Sequence, residues 1–183
     1  MRNNLLIIGA TSGIIISCLE SFLKNKYKII ATYSKEESLL NIPNSLRKSK
    51  NIKFIKLDLN QKDEKILEIL KKNKVNANMI INAVGGSFGI KDYPYSLDNW
   101  QKLLNMNILK HILINNFFLK KMINNKFGRI LFFSTSAVED TNASIAYSTS
   151  KAFLENYVVK SASLFGKYNI LINCVKSSVV VAK

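Results

Sequence analysis

The feature that most restricts this sequence is a regular exchange of two patterns. Short aliphatic runs alternate with longer segments whose apolar residues recur at helical spacing. The first run, residues 5–8 (Leu-Leu-Ile-Ile), stops at Gly9, and a helical pattern opens at Ser12-Gly13 and reaches about Lys26. Further runs at 27–32, 52–57, 79–83, 129–133 and 169–175 are separated by helical segments at 36–46, 61–72, 97–124 and 146–165. Runs that are apolar throughout, rather than at alternate residues, belong to strands buried on both faces. Strands alternating with helices predict a parallel sheet with right-handed crossovers. The expected fold class is therefore α/β, a doubly wound sheet of six parallel strands with helices on both faces. Without a repeat, linker or composition break, residues 1–183 read as a single domain. Ligands on such sheets bind beyond the carboxyl ends of the strands.

Composition excludes several classes. Apolar residues make up 48% and charged residues 21%, which excludes disorder as the main state. No apolar run approaches the roughly 20 residues of a membrane helix. No small-residue cleavage site follows the N-terminal run, so a soluble, cytoplasmic chain with no membrane partner is expected. The net charge of +15 would ordinarily suggest nucleic acid. Here it comes from 24 Lys against 3 Arg, beside 23 Ile and 22 Asn, residues that share A/T-rich codons. The lysines are scattered, and no arginine cluster exists to read base edges, so no nucleic-acid partner is expected. Cys18 and Cys174 are too few and too far apart for a disulfide framework or a metal site. They read as small buried hydrophobes, and the single histidine, His111, as a plain helix residue.

Three places carry chemistry. Gly9-Ala10-Thr11-Ser12-Gly13 joins the first strand to the first helix. Glycines there permit a tight turn and close backbone approach, and the helix N-terminus offers free N–H groups to phosphate. Tyr147 and Lys151 lie four apart at the start of a helix and share one face. An ammonium beside a phenol lowers its pKa and suits it to proton transfer near neutral pH. Upstream, Ser134-Thr135-Ser136 ends the fifth strand with three hydroxyls. Asn107 stands inside a long helix, where asparagine is a poor former.

Taken in order, these residues resemble the short-chain dehydrogenase/reductase family, over nearly the whole chain. Gly9-x-x-x-Gly13 matches its glycine-rich turn, with Thr11, Ser12 and Ile14 around it. Asp58 matches the acid after the third strand that contacts adenine. Residues 81–85, Ile-Asn-Ala-Val-Gly, are similar to its Asn-Asn-Ala-Gly segment, which places Asn82, Ala83 and Gly85 beside the cofactor. Asn107 falls at the family's helix asparagine, and 147–151 matches its Tyr-x-x-x-Lys. The resemblance implies hydride exchange between a nicotinamide cofactor and a carbonyl or alcohol substrate, a small molecule. Tyr147 would give or take the proton, and Lys151 would lower its pKa and hold the nicotinamide ribose. Asn107 would hold a relay water through its backbone carbonyl. A strand-end hydroxyl would orient the substrate.

That hydroxyl is Thr135 when counted forward from Gly128, and Ser134 when counted back from Tyr147; Ser136 is a third candidate. Thr135 is favoured, because burial fixes strand register while loops absorb deletions. At the end of the second strand stand Tyr33-Ser34-Lys35, with no acid before Glu36. Lys35 suits a 2′-phosphate, so NADP(H) is favoured over NAD(H). The resemblance also implies a homodimer or homotetramer built on helices 97–124 and 146–165, with Phe117, Phe118, Phe153 and Tyr157 available for contact. Against the family pattern, Ile15 replaces the last glycine of the turn and Ser177-Ser178 replace a Pro-Gly pair. The sequence ends at Lys183, before the family's lid and last strand. The chain is read as a truncated reductase or, alternatively, as a non-catalytic nucleotide-binding or assembly module. A sugar-nucleotide epimerase or dehydratase shares Tyr-x-x-x-Lys but has a different glycine turn and a larger C-terminal domain.

Overall fold

The computed structural model describes residues 3–90 and 94–178. The end of the sequence at Lys183 lies outside them. Six strands are present: β1 (Asn4–Ile8), β2 (Lys28–Tyr33), β3 (Ile52–Lys56), β4 (Met79–Asn82), β5 (Gly128–Thr135) and β6 (Ile170–Ser177). They form one sheet in the order β3-β2-β1-β4-β5-β6, with every adjacent pair parallel. This is the doubly wound order, and its switch point falls between β1 and β4, where the two halves of the sheet leave a crevice.

Strand parity explains the two cores. Leu6 and Ile8 of β1 face one way and Leu5 and Ile7 the other, all fully buried or nearly so. The first face is covered by α3 (Asp63–Lys72), α5 (Lys110–Asn124) and α6 (Ile145–Phe165), through Ile66, Leu70, Ile114, Phe118, Leu154 and Val158. The second is covered by α1 (Gly13–Lys24), through Ile15 and Leu19, by the short α2 (Asn44–Arg47), through Leu46, and by Ile42 just before α2. On the edge strand β6, Leu171 and Val175 stay exposed.

Two expected helices differ. The segment expected at 36–46 splits into a 3₁₀ turn, Glu36–Asn41, and α2. Pro43 separates them, because the residue before a proline is driven to extended backbone, and Ile42 adopts φ −86°, ψ 129°. The long helix expected at 97–124 is α4 (Leu97–Leu104) followed by α5, joined by a π-helical turn, Asn105–Leu109. That turn holds Met106, Asn107 and Ile108, all buried.

Both cysteines are free and partly exposed, not buried, Cys174 because β6 is an edge strand. Of the aromatic residues offered for subunit contact, Phe118 is in the core, and Phe117 and Tyr157 pack against it. Phe153 is 50% exposed. Among the described residues no helix is long and apolar enough to cross a membrane.

Candidate active site

The β1–α1 turn is held by backbone geometry. Gly9 has φ +85°, and a Cβ there would lie 2.6 Å from Val84 Cγ2. Its N–H donates to Thr32 Oγ1 (3.1 Å), and the Ala10 N–H donates to the Thr32 carbonyl (2.8 Å). Thr32, near the end of β2, thus fixes the turn; a threonine inside a strand gives no hint of this in sequence. Ser12 stands at the N-cap of α1, yet its side chain caps nothing, and its buried Oγ has no hydrogen-bond partner. An unpartnered buried hydroxyl costs on the order of 1–3 kcal/mol, a cost a ligand oxygen would relieve.

This turn forms one wall of an open cleft of about 740 Å³ across the switch point. Thr11, Ser12, Lys35, Asp58, Ala83 and Gly85 line it as the sequence suggested, and Gly13 and Ile14 open α1 beside it. Sequence reasoning missed Phe88, which follows Gly85-Gly86 at φ +50°, and Lys102 and Met106 from the opposite wall. Asp58 is fixed by the Asn60 N–H and side-chain amide, both at 2.9 Å. Glu36 accepts from the Tyr33 hydroxyl (3.1 Å) and pairs with Lys56 (3.7 Å), while Lys35 is exposed at the rim. Ile15, which replaces the family's last glycine, is 1% exposed and packs from α1 into the core.

Asn107, Thr135, Tyr147 and Lys151 do not line this cleft; they adjoin it at Gly85, against which Lys151 and Asn107 lie. Lys151 is only 4% exposed, and its Nζ donates to the Phe133 carbonyl at 2.7 Å. The same Nζ presses on the cleft wall, since a Cβ on Gly85 would meet it at 2.8 Å. Burial pulls the Lys151 pKa down to about 8, with Cys174 opposing the shift. Tyr147, one turn earlier, is partly buried, with the Thr135 side chain near its hydroxyl. Burial raises the Tyr147 pKa, and the Thr135 side chain offsets part of the rise. The expected lowering by Lys151 is not found: its Nζ is engaged by Phe133 and lies 6.0 Å from the Tyr147 ring centroid.

Strand parity separates the three hydroxyls. Ser134 is 3% exposed and donates to Glu155 Oε1 at 2.6 Å. Thr135 points to the opposite face, toward Tyr147, and its Oγ1 accepts from the Ala137 N–H at 3.2 Å. Ser136 is exposed.

The side chains of Asn107 and Asn82 are both buried and engaged by the protein. The Asn107 side chain is 1% exposed and grips Gly86 twice, Oδ1 accepting from its N–H (2.9 Å) and Nδ2 donating to its carbonyl (3.0 Å). Asn82 does not reach the cleft. It is 2% exposed, and its amide contacts the Leu131 carbonyl and, at 3.1 Å, His111 Nδ1. His111 is no plain helix residue either: it is 1% exposed, with Nε2 2.8 Å from the Val84 carbonyl.

The family model described as short chain dehydrogenase matches residues 3–183. An uncharacterized oxidoreductase of Bacillus subtilis (strain 168), YvrD, is 28% identical over 173 residues, 93% of this chain and 65% of that protein. Among solved structures, ElxO with NADP bound has a TM-score of 0.79 at 29% identity, covering 98% of this chain and 74% of that one. A 4-hydroxyisoleucine dehydrogenase complexed with NADH has a TM-score of 0.79 at 25% identity, covering 95% and 74%. The chain thus spans about two thirds of the length of the curated relative it matches.

Proposed function

Because the chain belongs to the short chain dehydrogenase family, we propose that it is an NAD(P)-dependent oxidoreductase acting on a carbonyl or alcohol, built as one nucleotide-binding domain. One observation carries this reading: the Lys151 ammonium, on the same helix face as Tyr147, is pressed against Gly85, a wall of the cleft. That contact joins the proton-transfer pair to the ligand site.

The cleft fits a dinucleotide. Ser12 offers a buried hydroxyl without a partner, and the bare backbone of Gly9 lets the turn approach a pyrophosphate closely. Thr11, Gly13 and Ile14 would add donors at the positive end of α1. Asp58 would meet the adenine side, and Ala83, Gly85 and Lys151 the nicotinamide half. Lys35 at the rim, with Glu36 drawn to Tyr33 and Lys56, favours a 2′-phosphate and hence NADP(H) over NAD(H). A bound nicotinamide supplies or accepts the hydride at the substrate carbon. Tyr147 gives or takes the proton at the substrate oxygen, and Thr135, near its hydroxyl, orients that oxygen. Lys151 retains donors for the ribose beside its bond to Phe133. With the Asn107 side chain committed to Gly86, only its backbone carbonyl is left to hold a relay water.

The test is NADPH and NADH fluorescence titration, with a reductase assay on a panel of carbonyls. Tyr147→Phe is expected to bind NADPH within about twofold of wild type and lose at least about 10²-fold in turnover. Binding without turnover in the wild type would favour the non-catalytic nucleotide-binding module. Absence of binding would refute both.

A further inference from the structure

His111 is the single histidine of the chain. It sits in α5 behind the cleft, one turn after Asn107, in a pocket that constrains its chemistry. Nε2 lies 2.8 Å from the Val84 carbonyl, which can only accept. The proton must therefore reside on Nε2. Burial, reinforced by the nearby Lys151 charge and resisted by the backbone carbonyls of Val84 and Met106, draws the His111 pKa down to about 4. The ring is then neutral at physiological pH, and Nδ1 is bare and requires a donor.

The neighbouring amides can supply one. Asn82 contacts Nδ1 at 3.1 Å and Asn115 at 3.5 Å, and Asn115 Nδ2 is buried without a partner. A half-turn of both amides lets Asn82 Nδ2 donate to His111 Nδ1 and Asn115 Nδ2 donate to Asn82 Oδ1. The rotation is nearly shape-neutral, because the two ends of an amide have the same size. It replaces the Asn82 donation to the Leu131 carbonyl (3.2 Å) by an oxygen facing that carbonyl, and in exchange supplies donors to His111 Nδ1 and Asn82 Oδ1.

We propose that His111, as the neutral Nε2–H tautomer, is a positioning residue that holds the Val84 carbonyl and thereby sets residues 84–86 against the cofactor. The proposal rests on the nicotinamide reading above. Its geometric reason is that this segment touches both halves of the site. Val84 Cγ2 fills the space above Gly9, and Gly85 lies against Lys151 Nζ. Asn107 grips Gly86 from the same helical turn region, so two side chains anchor three consecutive residues from behind.

Two measurements test this. In ¹⁵N-labelled protein at pH 7 the one imidazole should show the Nε2–H tautomer; the Nδ1–H tautomer, or the rapid averaging of a solvent-exposed ring, would overturn the proposal. Three variants are then titrated with NADPH, each with its melting temperature. His111→Phe removes the donor, and His111→Asn reaches toward Asn82 but falls short of Val84. His111→Gln carries its amide to the Nε2 position. His111→Phe and His111→Asn should raise the NADPH Kd about tenfold, the effect of one lost buried hydrogen bond at a binding wall. His111→Gln should stay within about threefold of wild type. Equal Kd values across all three, with only melting temperatures altered, would reduce His111 to a structural residue. A wild type that binds neither NADPH nor NADH would instead refute the cofactor reading, while the tautomer measurement would still stand.

Discussion

The two halves of the site are built on opposite principles. The β1–β3 half presents backbone: a glycine turn, a helix N-terminus, an unpartnered Ser12 hydroxyl and an exposed Lys35. The β4–β6 half is a set of side chains already committed to partners. Lys151 is tied to Phe133, Asn107 to Gly86, Ser134 to Glu155, and Thr135 to Ala137. A receptive wall adjoins a preorganised set. The first gains its hydrogen bonds when a ligand arrives, whereas the second has its geometry fixed beforehand, as catalysis by positioned groups requires.

The halves meet where Gly9 faces Val84, and the strongest way to break the comparison is there. Gly9→Ala places a methyl 2.6 Å from Val84 Cγ2 on a backbone at φ +85°. It should lower stability by about 1–3 kcal/mol and weaken NADPH binding more than about tenfold, read by denaturant unfolding and titration. Unchanged binding would mean that the receptive wall does not depend on close backbone approach.

A smaller effect sharpens the other half. Lys151 titrates near 8 in the fold against 10.5 unfolded, so between these values the unfolded chain holds more protons. Wild-type stability should therefore rise from pH 8 to 10.5, with the full burden of the buried ammonium present below pH 8. Lys151→Met should remove that component of the slope while abolishing turnover. An identical pH profile in the two proteins, measured by urea unfolding, would show that the ammonium is not confined as the structure places it.

The smallest expected effect lies at the receptive rim. Lys35→Ala should weaken NADPH about fivefold and leave NADH within about twofold, as for one exposed charge pair. Equal losses for both cofactors would remove Lys35 from the selection of the 2′-phosphate.

These halves were not equally legible in the sequence. Aliphatic runs specify buried parallel strands because few other elements tolerate them, and Gly9 signals itself because a side chain cannot occupy its place. The β4–β6 half depends on which way polar side chains turn. Strand parity along β5 separates Thr135 from Ser134, which it directs into Glu155. The contacts of Asn82, Asn107 and His111 were not legible, because asparagine is abundant here and a lone histidine has no local signature. Their network closes only when β4, α5 and the loop at 84–86 are brought together. The same holds for the phenol: spacing alone suggested a lowered Tyr147 pKa, while burial and the engagement of Lys151 by Phe133 decide the direction.

The π turn at Asn105–Leu109 gives the molecule an unusual evolutionary exposure. Such a turn is a helix carrying one residue beyond its regular pitch, kept where function needs it. Loss of a single codon there would let α4 and α5 merge into an unbroken rod and swing Asn107 off Gly86. An in-frame deletion that simplifies the helix would thus be expected to release Gly86 while leaving Tyr147 and Lys151 unchanged.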